Sequence, residues 1–169
     1  DKYIIDDVDV IGEIPFDEEV YIEIVNSLKG QTYSQAQITG IEEFFVNVLG
    51  NRGYAFAEVN GNTETTDDSN EVKLTFTVVP GNKTYTRKIL FTGNNVTQDH
   101  VLRREMRQFE GAWTSDNSIE AGKVRLERLG YFKEVNVETI PVIGTEDQID
   151  IVYSVDEETT GSVGGNIGY

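Results

Sequence analysis

Two stretches of this chain repeat one another. Val8, Val10 and Gly12 align with Ile89, Phe91 and Gly93 at an offset of 81, and the same offset pairs Tyr21, Val25 and Leu28 with Leu102, Met106 and Phe109. In both copies that i, i+4, i+7 spacing predicts one buried helical face. A glycine follows each stripe, Gly30 and Gly111, and then a serine suited to capping a second helix, Ser34 and Ser115. Gln37 completes a capping box in the first copy. A repeat of about 80 residues constrains the fold strongly, because a unit of that length is a domain with a core of its own.

The second helices open on Ile38 and Ile119 and end at Gly53-Tyr54 and Gly130-Tyr131, where the offset has fallen to 77. Four residues are close to one helical turn, so the apolar face keeps its direction while the second copy's helix shortens. Clean period-two alternation closes each copy: Val72, Leu74, Phe76 and Val78, then Ile149, Ile151, Tyr153 and Val155. Between helix and last strand, the first copy is expected to hold a short strand, Ala55 to Val59, then a polar turn-rich loop from Asn60 to Asn70. In the second copy the same strand is expected over Val135 to Ile140, with a turn at Gly144 to Asp147.

The order strand, helix, helix, strand, strand with short connections makes strands one and three parallel and two and three antiparallel. The predicted fold class is therefore α+β: two tandem β-α-α-β-β modules, residues 1–80 and 81–158. Each is a mixed three-stranded sheet of order 1-3-2 with both helices on one face. Pro80, Gly81, Asn82 and Lys83 form the join, a candidate hinge.

Chemistry is sparse. With 30 acidic against 14 basic residues the net charge is −16, which disfavours phosphate backbones and anionic lipid. Nucleic acid is not expected as a partner on that ground. No apolar run approaches the roughly 20 residues of a spanning helix, and cysteine is absent, which removes disulfides and thiolate metal sites. The start on Asp1 and Lys2 reads as an excised or mature fragment. His100, the sole histidine, reads as a surface or boundary residue in the first turn of a helix opened by Thr97 and not as a catalytic base. Asp7, Asp9, Gly12 and Glu18 match four EF-hand positions, but Val8, Val10 and Ile11 make the stretch a strand, and calcium is not expected there. No carboxylate pair sits in a motif that would bury one acid, and Gly161 to Gly168 lacks the lysine and following helix of a phosphate loop. No cofactor, metal or small-molecule substrate is expected.

The copies differ in charge. Residues 1–81 carry 4 basic and 16 acidic residues, whereas 82–169 carry 10 and 14. Much of the difference falls on helix one of the second copy, where Arg103, Arg104 and Arg107 with Glu110 are expected to form an outward ridge. That ridge reads equally as a solvated face with i,i+4 pairs or as a protein-docking surface; arginine's planar fork suits carboxylates on a partner.

VLRREMRQFEGAW over residues 101–113, LGYFKEVNV over 129–137, DQIDIVYSV over 147–155 and the tail TGSVGGNIGY resemble the last POTRA domain of the BamA family of outer-membrane β-barrel assembly factors. The first copy resembles the preceding, fourth domain more loosely. The resemblance implies a non-enzymatic periplasmic arm at the bacterial outer membrane that docks accessory lipoproteins and receives unfolded outer-membrane proteins. It points to Arg103, Arg104, Arg107 and Glu110 as the lipoprotein contact. It also makes 159–169, where Val163, Ile167 and Tyr169 alternate with polar residues, the start of a barrel strand. Strand two of each copy lies at a sheet edge, so Val135, Asn136, Val137 and Glu138, with Ala55, Phe56, Ala57 and Glu58, are candidates to pair with an extended client. Glu58, Glu134 and Glu138 read alternatively as charges that protect those edges. The other family-level reading is the POTRA pair of a two-partner secretion transporter.

Overall fold

The computed structural model describes residues 2–65 and 68–158, so the expected barrel strand at 159–169 lies outside the described residues. The chain divides into two compact units, Asp1–Asn82 and Lys83–Tyr169. In the first, β1 (Ile4–Gly12) is followed by a 3-10 turn (Glu18–Val20), α1 (Ile22–Ser27), α2 (Gln35–Gly50), β2 (Glu58–Thr65) and β3 (Glu71–Val79). In the second come β4 (Tyr85–Thr92), α3 (Asp99–Arg103), α4 (Asp116–Arg128), β5 (Phe132–Pro141) and β6 (Gln148–Glu157). The sheet orders are β1-β3-β2 and β4-β6-β5, with the outer pairs parallel on one side and antiparallel on the other, as the connection rules require.

One face of each sheet closes the core. Val72, Leu74, Phe76 and Val78 pack with Ile5, Val8, Val25, Leu28 and the α2 residues Ile38, Ile41, Phe45 and Leu49. Their counterparts are Ile149, Ile151, Tyr153 and Val155 with Ile89, Leu102, Met106, Ile119 and Leu126. A bulge breaks the register between Ile5 and Asp7 and again between Thr86 and Lys88. The extra residue lets side chains three apart, Ile5 and Val8 or Thr86 and Ile89, all turn inward. Gly12 and Gly93 sit at φ +105° and +85° where each first strand ends. A Cβ there would lie 2.2 Å from Val78 O and 2.0 Å from Val155 O.

Four expectations need correction. First, the leading helices are short. Phe109, expected in the buried stripe, is 62% exposed, because α3 ends at Arg103 and the chain then leaves helical geometry. Gln108 is buried in its place. The ridge of Arg104, Arg107 and Glu110 is therefore not on a helix: Arg104 caps α3, and the other two lie in the loop beyond. Second, β2 begins at Glu58, leaving Ala55, Phe56 and Ala57 ahead of the strand, and runs through Asn60–Thr65, which read as loop. Pairing along β3 from Val79 to Val72 overrides the weak strand preference of Asn and Gly. Gly61 also fits where a Cβ would meet Ile38 Cγ2 at 2.7 Å and a Phe76 ring carbon at 2.9 Å. Third, Ser34 forms no side-chain cap, and Gln37 instead donates to Gln31 Oε1 at 2.9 Å, so the capping box is absent. Ser115 does cap α4, accepting from Ser118 N. Fourth, the helix preceding that box's counterpart opens at Gln98 and not at Thr97, whose N–H and hydroxyl bind Glu157. The second helices differ as expected: α2 has 16 residues and α4 has 13.

Candidate partner-docking site

The loop from Arg104 to Thr114 is built onto the outer edge of β4. Gly111 N donates to Thr86 O at 2.7 Å, Thr86 N to Ala112 O at 3.0 Å, and Thr114 N to Thr84 O at 3.0 Å. Gln108 organises the return from inside, donating to Trp113 O and accepting from Ser115 N, both at 2.9 Å. From α4, Arg125 reaches over to Glu105, with Nε to the carbonyl at 3.1 Å and Nη2 to the carboxylate at 2.9 Å. Such a loop is held by backbone pairing and buried polar contacts, so its exposed side chains start from fixed positions.

Arg103 is the centre of the charged group. Its Nε donates to Asp99 Oδ2 at 2.8 Å and its Nη2 to Ile89 O at 2.9 Å; Nη1 lies 3.6 Å from Glu110 Oε1, and the guanidinium lies 5.0 Å from the Phe91 ring centroid. Hydrogen bonding to Arg103 holds the Asp99 carboxyl below the usual carboxylate range, and the same bond raises the guanidinium's own pKa. Glu110 Oε2 accepts from Ile89 N at 3.3 Å. Arg107 folds back on its own turn, donating to Met106 O at 3.0 Å. Arg104 is exposed.

Beside this group lies a hollow of about 140 Å³ lined by Ile89, Arg103, Met106, Gln108, Phe109 and Glu110. Of that lining, Ile89 and Met106 are buried, Phe109 is exposed, and Arg103 and Glu110 supply one positive and one negative side chain. That combination suits one apolar side chain of a partner with charged neighbours. Of the predicted docking residues, Arg103 and Glu110 are brought together; Arg104 and Arg107 do not line the hollow. Phe109 was missed because its counterpart Leu28 is buried, and nothing in the sequence marks where α3 stops.

The edge-strand candidates fare unequally. Val135, Asn136, Val137 and Glu138 lie in β5, whose second side faces away from β6. In the first unit only Glu58 of the four residues lies in a strand, and the edge is β2. At the join, Gly81 has φ +70°, and Lys83 Nζ sits 3.5 Å from the Trp113 ring centroid, which stacks on Tyr85 at 3.9 Å. Asp7 and Asp9 pair with Lys29 at 3.3 Å and Lys73 at 3.2 Å along the strand, so the EF-hand spacing does not gather its carboxylates. His100 is exposed on α3.

A profile of the POTRA family, described as surface antigen variable number repeat, matches residues 3–81 and again 84–158. Among curated proteins, the outer membrane protein assembly factor BamA of Neisseria meningitidis serogroup B is 35% identical over 140 residues, which cover 83% of this chain and 18% of that protein. Among solved structures, POTRA domains 3–5 of Haemophilus influenzae BamA match with a TM-score of 0.86 at 33% identity, over 92% of this chain and 61% of that one. BamA of Haemophilus ducreyi lacking POTRA domains 1–3 matches with a TM-score of 0.82 at 38% identity, over 94% of this chain and 30% of that one. The chain thus spans a small part of the curated relative.

Proposed function

Because this chain belongs to the POTRA family, we propose that it is the barrel-proximal pair of POTRA modules of an outer-membrane protein assembly factor and acts without catalysis, as a periplasmic docking scaffold. The similarity to assembly-factor relatives supports the setting. The observation that carries the docking role is the bordered hollow in the second unit, where exposed Phe109 stands beside the Arg103–Glu110 pair. Its partner is an accessory lipoprotein that offers an apolar side chain with charges of both signs. Complementary charge there governs register and encounter, and the apolar contact governs residence. Arg104 and Arg107, exposed beside it, extend the same surface.

A titration of soluble periplasmic lipoprotein domains against the chain and its Phe109→Ala and Glu110→Lys variants tests this. The expected result is a Kd raised about tenfold or more in both variants, the size of a lost anchor or a reversed charge. Unchanged affinity in both overturns the reading.

A second role has its own support. β5 is a ten-residue edge strand, so an extended outer-membrane client can add a strand there by backbone pairing along Val135, Asn136, Val137 and Glu138. In the first unit the equivalent edge is β2, Glu58–Thr65. The two-partner secretion alternative has less support, since the relative and both structures named above carry the assembly-factor name.

A further inference from the structure

The charged pair of the docking hollow is also part of the wall of the sheet. β4 is an edge strand, and along its first residues the loop supplies backbone partners: Thr84 and Thr86 are met by Thr114, Gly111 and Ala112. At Ile89 the outward groups are met by side chains instead. Arg103 Nη2 donates to Ile89 O at 2.9 Å, Glu110 Oε2 accepts from Ile89 N at 3.3 Å, and the two side chains lie 3.6 Å apart. Together they present one donor and one acceptor, as a residue of a neighbouring strand would. Among the described residues the first unit has no such device: the positions of Arg103 and Glu110 hold Ile22 and Lys29, and Lys29 pairs with Asp7.

We propose that the Arg103–Glu110 pair is a latch on the β4 edge, so that a partner drawing either charge away uncovers Ile89 and lets an extended segment of that partner pair with β4. Both side chains are within reach of such a partner, at 40% and 48% exposed. A basic group competes for Glu110 and an acidic one for Arg103. An edge strand whose outward N–H and C=O lose their partners recovers them most fully from another backbone. Docking and strand capture in the second unit are then two stages of one event, at an edge distinct from β5. The identity of the trigger rests on the docking reading above; the latch itself does not.

Amide hydrogen exchange on the full chain, read residue by residue by NMR, tests the latch. Arg103→Ala and Glu110→Ala, made separately, each remove half of the cap. Exchange at Ile89 should become about tenfold faster in Glu110→Ala, which removes the acceptor of its N–H, with Thr86 and Ile151 unchanged, while Arg103→Ala, which frees the Ile89 carbonyl, should move that carbonyl's 13C resonance. If one variant also speeds Ile151, it has loosened the whole unit and the other carries the test. An acetylated, amidated octapeptide of alternating Val and Thr is then added to the chain and to the variant that keeps its fold. It should shift the Ile89 and Phe91 amides of the variant alone. Ile89 exchange unchanged in Glu110→Ala, or its carbonyl unmoved in Arg103→Ala, overturns the latch, and peptide shifts confined to β5, or none, overturn strand capture at β4. Failure of the docking reading would appear separately, as lipoprotein affinity indifferent to Glu110→Lys.

Discussion

Gly93 and Gly12 show how single residues fix the repeat. A Cβ at Gly93 would stand 2.0 Å from Val155 O, at a φ of +85°, and the same conflict recurs at Gly12 with Val78. Gly93→Ala combines backbone strain with a collision against main chain that cannot yield, and should cost about 3 kcal/mol or more in chemical denaturation of the second unit. A loss near zero would mean that the strand end can move away. These glycines were legible as turn points because both copies carry them. Gly61 was not, since its reason is the approach of Ile38 and Phe76, which are distant in sequence. Phe109 was misread for a related reason: helical spacing holds only while the helix continues, and α3 stops at Arg103.

Among the elements, the strands that carry alternation were legible and the segments that depend on pairing were not. β3 and β6 alternate so regularly that their buried residues follow from sequence, whereas β2 borrows its extent from β3. The loop 104–114 carries Met106 and Phe109 at helical spacing from Leu102, yet α3 ends at Arg103 and the loop is not helical. Its shape comes from long-range bonds to Thr84, Thr86 and Arg125, and the candidate hollow inherits that shape. A further device joins the end of β6 to the turn after β4. The Glu157 carboxylate accepts from the backbone N–H groups of Asn95, Val96 and Thr97 and from the Thr97 hydroxyl. Those bonds, the one from Thr97 N first, hold its pKa below the ordinary value. A folded pKa below the unfolded one means that the clamp contributes above the unfolded value, about 4.3, and fades as pH falls through the folded value. Glu157→Gln should therefore melt at a lower temperature than the parent at pH 7, and the gap should narrow as pH falls below about 4.3. A gap that does not narrow in acid would assign the effect to packing instead of charge.

Across the whole chain, two copies of one fold have diverged in surface more than in core. The residues up to 81 hold 4 basic and 16 acidic groups and the rest 10 and 14. The surplus of arginine in the second copy has structural uses first: Arg87 binds Asp150 across the bulge, Arg125 holds Glu105, and Arg103 ties α3 to β4 and Glu110. What the sequence suggested as a free charged ridge is thus partly a set of braces, and the surface offered to a partner is narrower, centred on the hollow between Phe109 and the Arg103–Glu110 pair. Docking of an accessory lipoprotein at this hollow is the role proposed for the second unit. It is tested most directly by mapping the footprint of a soluble lipoprotein domain on the amide spectrum of the full chain. Perturbed amides should concentrate between residues 103 and 113 and along β4 near Ile89. A footprint that misses this loop and falls on residues 2–79 would contradict it.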